Sequence, residues 1–437
     1  MEVLIVLSCI TFLILLISLW KINAFLAFLI ISLLGGLLLG MPAASVSASV
    51  QKGIGDMLGS LVIIVVGGAM LGKLVADSGA ALRITDAMMG LFGLKRIQWG
   101  LMATGFVIGI TMFYTVGFVL VIPLIFSVVY RYKLPAVYTG LPMIAALSVT
   151  HGFLPPHPSP TALVAQFHAD MGTTLWYGVL IGIPTVILAG PVFTQSLKGL
   201  QKPMLKTFAK TEESNYQTPT VAQSALSSLL PVLLLSASSL LLLVTQPTGM
   251  TRSLISFFAD PAVVMLLAVL YATWSLGVRL GRSIADVMSV YVDAVKDIGM
   301  ILLIMGGAGA LKQVLIDSGV SVTIAEGLAR LPVHPLVLGW LIAAIIRVCV
   351  GSATVAGLTA AGIVLPLLEQ SGADPNLMVL AIGAGSLMFS HVNDSGFWLF
   401  KEYFNLSIRE TIRSWSLMET IVAFSGLAGV LLINALH

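Results

Sequence analysis

The chain has 437 residues, 58% of them hydrophobic and only 9% charged, with a formal net charge of +3 and a mean hydropathy of +1.04. This is far beyond the apolar fraction of a soluble globular domain, so the sequence is that of an integral membrane protein. Its two cysteines, Cys9 and Cys349, lie in separate apolar runs, which leaves no disulfide framework and no metal ligand set.

The first apolar run is Val3 to Leu19. No positive charge precedes it, Lys21 follows it, and no small-residue cleavage site stands before Ala24, so it reads as a retained helix with Met1 outside. Further runs long enough to approach or cross a bilayer follow at Ala24 to Leu39, Leu58 to Val75, Leu101 to Phe126, Leu175 to Phe193 and Val232 to Val244. Others lie at Val263 to Leu276, Ile298 to Ile316, Leu336 to Val350 and Met418 to Leu436. Their continuity fits helices and not the short alternating blocks of barrel strands. The expected fold is an all-α polytopic membrane protein of about 10–14 transmembrane segments. The longest polar segment, about Lys198 to Gln223, is too short to bury a core of its own. Its Lys198, Lys202, Lys206 and Lys210 place that loop in the cytoplasm.

"VGGAMLGKLVADSGAALRITDAM", from Val66, is echoed by "GGAGALKQVLIDSGVSVTIAEGL", from Gly306. At a constant offset of 240, Gly59 falls on Gly299, Gly67 on Gly307, Leu71 on Leu311, Asp77-Ser78-Gly79 on Asp317-Ser318-Gly319 and His151 on His391. The chain therefore divides into a first repeat over 1–200, a linker loop over 201–222 and a second repeat over 223–437. Duplicated membrane halves are a mark of secondary transporters. Whether the halves are inverted turns on an odd number of crossings in each, which hydropathy leaves open.

Each half carries two places where helix should fail. "GITMFYTVGFVLVIPL" sets Thr111, Tyr114 and Thr115 in an apolar region ending at Pro123, and "GSATVAGLTAAGIVLPL" sets Ser352 and Thr354 before Pro366. These hydroxyl-bearing stretches fit hairpin tips near 109–123 and 351–366, and non-helical backbone at membrane depth belongs in a cavity. "HGFLPPHPSP", 151–160, removes backbone donors and holds His151 and His157. "SHVNDSGFW" brings His391, Asn393, Asp394 and Ser395, residues of caps and turns, near 391–396. The half-helices so formed would turn free N–H groups and positive dipole ends toward an anion.

Arg347 stands in an apolar run one turn before the second hairpin stretch. Intramembrane charges are functional by default, and a guanidinium can grip a carboxylate with two hydrogen bonds; the alternatives are an ion pair with Asp394 or another acid, or snorkelling to an interface. Substrate-binding candidates are thus Thr111, Tyr114, Thr115, His151, His157, Arg347, Ser352, Thr354, His391, Asn393, Asp394 and Ser395. For proton coupling the candidates are Asp394, His151 and His391. No metal or cofactor is expected, because the His151 and His157 pair has no acidic or Cys partner nearby.

On "KINAFLAFLIISLLGGLLLGMP", "HGFLPPHPSPTA", "GIPTVILAGPVF", "GSATVAGLTAAGIVLPLL" and "SHVNDSGFWLFKEYFNLS", the chain resembles the gluconate permease (GntP) family of proton symporters, within the ion transporter superfamily. The family has Gly where Ser159 stands. The resemblance implies proton-coupled uptake of gluconate or a related hydroxy-carboxylate across a bacterial inner membrane, with idonate, fructuronate and D-serine as other family substrates. It also implies inverted repeats, each with a re-entrant hairpin and an interrupted helix, a homodimer, and an elevator-like motion. Sodium coupling is the near alternative, since hydroxyls and carbonyls also suit hard cations. An intramembrane enzyme using His151 or His391 as base is remote, because no nucleophile motif or cofactor fingerprint is present.

Overall fold

The computed structural model describes residues 2–111, 114–155, 157–200, 217–320, 322–323 and 332–436. Among them there are helices and connections and no strand. Most of the linker loop expected at 201–222 lies outside the described residues.

The helices run in chain order as α1 (Glu2–Ser18), α2 (Ala24–Leu38), α3 (Ala43–Asp77), α4 (Ala80–Thr111), α5 (Tyr114–Tyr132), α6 (Ala136–Phe153) and α7 (Pro158–Gln166). Next come α8 (Met171–Leu197), α9 (Val221–Thr245), α10 (Gly249–Phe258), α11 (Pro261–Leu280) and α12 (Ile284–Asp317). The chain closes with α13 (Pro335–Val350), α14 (Ala353–Ser371), α15 (Pro375–Gly385), α16 (Ser395–Tyr403) and α17 (Ile408–Leu436). Among the described residues five helices, α3, α8, α11, α12 and α17, are long and apolar enough to cross a membrane, and shorter apolar helices accompany them. Large apolar side chains such as Leu38, Trp176, Leu266, Leu270, Phe424 and Leu432 stand exposed on the outer helices, as a lipid-facing surface requires.

Local chemistry sets the helix ends. Ser283 and Ser407 start α12 and α17 with reciprocal capping boxes to Asp286 and Glu410. Asp260, Asp374 and Asp394 cap α11, α15 and α16 with their carboxylates. Asp77 and Asp317, 240 residues apart, are the last residues of α3 and α12, and Gly79 and Gly319 just beyond them take positive φ. Inside α4, Gly93 leaves the helical region at φ 67°, ψ 165° and bends the element.

α3 and α12 lie against each other over much of their length. Ser49 donates to Asp317 at 2.6 Å, and Lys73 pairs with Asp297 at 2.9 Å. Between these contacts Gly53 and Gly309 meet backbone to backbone, each where a Cβ would collide with the other's carbonyl. Residue numbers rise on one helix as they fall on the other, so the pair is antiparallel.

The expected helix failures take definite form. α6 continues through His151 to Phe153, and α7 resumes at Pro158, so the interruption is narrower than 151–160. Pro158 and Pro160 fall in the first turn of α7, where the amide hydrogen they lack has no helical partner. The second interruption is wider than 391–396, running from the end of α15 at Gly385 to the start of α16 at Ser395. α4 ends at Thr111 and α5 begins at Tyr114; α13 ends at Val350 and α14 begins at Ala353. In each case two packed helices are joined within two residues.

Candidate functional site

A cavity of about 640 Å³ opens where these interruptions converge, a size that suits a small ligand. Its wall holds Tyr114 and Thr115 from the start of α5, Ser352, Ala353 and Thr354 from the start of α14, and Asp394, Ser395 and Gly396 from the start of α16. Three helix N-termini thus face one space. Arg347 of α13, Lys312 of α12, His151 and Ser148 of α6, and Glu419 of α17 complete the polar lining, with Asp260 at the exposed rim.

Arg347 is 4% exposed, at the last turn of α13. Its Nη2 donates to Asp394 Oδ2 at 2.5 Å, one of the alternatives to substrate binding that the sequence left open. Its Nε and Nη1 have no hydrogen-bond partner. Asp394 is fully engaged: Oδ2 also accepts from Ser390 Oγ, and Oδ1 accepts from the Gly396 amide at 3.0 Å, capping α16. Ser390 Oγ in turn accepts from Trp415 Nε1 at 2.7 Å, so the pair is wired to the start of α17.

The remaining candidates divide into those that face the cavity and those that close helix ends. α13 stops at Gly351, in the left-handed region at φ 74°, leaving carbonyls without helical partners. Asn393 Nδ2 donates to the Val348 and Cys349 carbonyls at 2.8 and 3.1 Å, and His391 Nε2 lies 2.8 Å from the Val348 carbonyl. His157 does the same for α4, with Nε2 2.6 Å from the Gly109 carbonyl. His157 and His391 are buried and do not line the cavity. The Asn393 Oδ1 atom is left without a partner at the wall. Ser352 caps α14 through the Val355 amide at 3.4 Å. Tyr114 presents an unpartnered hydroxyl, and His151 an unpartnered Nδ1, its ring 5.2 Å from that of His157. The Thr111 side chain lies outside the described residues.

Two groups were missed in the sequence. Lys312, in "GAGALKQVL", lines the cavity with no ion pair or hydrogen bond among the described residues. Glu419, in "SLMETIVAF", is 1% exposed; its Oε1 accepts from Ser148 Oγ at 2.6 Å and its Oε2 has no partner. Both are charges inside apolar runs, the signal that singled out Arg347. Among the described residues no group of three His, Cys, Asp or Glu is placed to hold a metal ion.

Residues 1–436 match the GntP family permease family. The chain belongs to that family. It is 48% identical to the high-affinity gluconate transporter of Escherichia coli K12, over 421 residues that make 95% of each chain. It is 47% identical to the Gnt-II system L-idonate transporter of the same organism, again over 95% of each. With the gluconate permease of Bacillus subtilis it shares 42% over 95% of each. The fold also aligns loosely, at a TM-score of 0.42 and 16% identity, with the Alcanivorax borkumensis YdaH transporter, covering 94% of this chain and 97% of that one. The permease is accordingly a multi-pass membrane transporter for a small molecule and not an enzyme, as its relatives' names require.

Proposed function

We propose that this permease is a proton-coupled symporter of gluconate or a closely related hydroxy-carboxylate in a bacterial inner membrane, and that the cavity is its substrate site. The observation that carries the reading is the convergence on one space of a lysine, a guanidinium with two unpartnered nitrogens and three helix N-termini. Lys312 has no acidic partner there, Arg347 keeps two nitrogens free, and α5, α14 and α16 all begin at the wall. Such an array suits a carboxylate. The Tyr114, Thr115, Ser352, Thr354 and Ser395 hydroxyls and the free Asn393 oxygen suit a chain of substrate hydroxyls. Relatives named for gluconate and for L-idonate carry acids of this kind.

In the same reading the chain is two inverted repeats, 1–200 and 223–437, with hairpins at 109–123 and 351–366, assembled as a homodimer that moves like an elevator. Support for the inversion comes from α3 and α12, which the 240-residue offset matches and which pack antiparallel. Support for paired breaks comes from His157 and His391, each closing the helix end opposite it.

The test is uptake of radiolabelled gluconate by purified protein in liposomes under an inward proton gradient, with and without sodium, with idonate, fructuronate and D-serine as competitors. Accumulation without sodium is expected. Lys312→Gln should raise KM about tenfold, the order expected for one lost charged hydrogen bond. Accumulation that needs sodium would sink the proton reading, and absence of competition by any hydroxy-acid would sink the substrate class.

A further inference from the structure

We propose that Glu419 is the group that carries the coupled proton. This rests on the symport reading above and assigns its proton to one atom, Glu419 Oε2.

A proton carrier must gain and lose a proton without dismantling the fold, and must do so where substrate binds. Asp394 fails the first condition. Protonating it would take away the charge that Arg347 pairs with, stranding a buried guanidinium, and would weaken the charge-assisted bonds from Ser390 and from the Gly396 amide that starts α16. His391 fails the second, because it closes the end of α13 away from the wall. His151 faces the cavity, but beside the His157 ring and a guanidinium a second positive charge is disfavoured. Glu419 meets both conditions. Ser148 holds Oε1, while Oε2 is buried at the cavity wall with no partner to lose.

The charged and titratable groups facing Glu419 across this space are His151 from α6, Arg347 from α13, Lys312 from α12, Tyr114 from α5 and Asp394. Of the other helices packed against α17, α8 and α15 carry no charged residue, and α16 carries Lys401 and Glu402, which pair with each other at 2.7 Å. Arg347 and Asp394 cancel, and Lys312 offsets an ionised Glu419, so the empty cavity is neutral apart from Asp260 at the rim. A bound monocarboxylate makes it −1, and one proton on Oε2 restores neutrality. The step is a proton transfer only: water on one side yields H⁺ to Oε2, giving the neutral acid, and the acid returns it to water on the other side. One proton accompanies each anion.

Glu419→Gln keeps the size and an acceptor for Ser148 but cannot take the proton. Wild type and E419Q are reconstituted, and labelled gluconate is followed by exchange at equal pH and by accumulation under a pH gradient with the membrane potential clamped at zero. Wild type should accumulate about tenfold per pH unit, the ratio for one proton per anion. E419Q should keep exchange and lose accumulation, and Glu419→Asp should restore it. Accumulation by E419Q equal to wild type overturns the assignment. So does an E419Q that unfolds at the wild-type temperature yet lacks exchange, when E419D also lacks accumulation. Infrared spectroscopy separates this inference from the substrate reading. A protonated-carboxyl band that changes with pH and is missing in E419Q supports Glu419 even if gluconate is not transported; absence of that band in wild type overturns it.

Discussion

Asp394 has two duties that a sequence cannot display together: counter-ion to Arg347 and N-cap of α16. The pair is largely buried, with side-chain exposures of 4% and 14%. Removing one charge of such a pair strands the other in a poorly solvated place, whereas removing both does not. Asp394→Asn should therefore lower stability by about 3–5 kcal/mol, read as a fall in the unfolding temperature in detergent. Arg347→Gln combined with Asp394→Asn should recover part of that loss. A single Asp394→Asn that unfolds like wild type would mean that the guanidinium finds another acceptor.

At the scale of elements, the interruptions act as caps for neighbouring helices. Gly351 is the clearest case, since its φ of 74° disfavours any side chain and a Cβ there would also strike the Asn393 backbone. Gly372, at φ 67°, has nothing within 4 Å of the same position. Gly351→Ala should cost about 1–3 kcal/mol of stability, measured by thermal unfolding, and Gly372→Ala should cost less, because only the backbone conformation is strained. Equal losses would remove the role assigned to the Asn393 contact. These breaks were legible in the sequence as clusters of Pro, Gly, Asn and Asp, because those residues act locally. Their partners were not: nothing near His391 or His157 in sequence indicates that each ring meets a carbonyl 43 or 48 residues away.

For the whole molecule, composition settled the membrane class and the 240-residue offset pointed to a duplication, since both are summed over many residues. Lys312 and Glu419 escaped notice because an isolated charge gains meaning only when the fold brings it to the wall that Arg347 and Asp394 share.

The antiparallel pair of α3 and α12 has a consequence for the surrounding lipid. With 35 and 34 residues, each helix measures about 50 Å, against a hydrocarbon layer of about 30 Å. Gly53 and Gly309 lock their register, so neither can slide to shorten the pair. The two must lean together or carry their ends beyond the acyl chains, and the cost of doing so changes by fractions of a kcal/mol per Å of bilayer thickness. Uptake in liposomes should therefore vary with acyl-chain length while substrate affinity in detergent stays constant. The same rate in thin and thick bilayers would show that the pair keeps its tilt throughout the transport cycle.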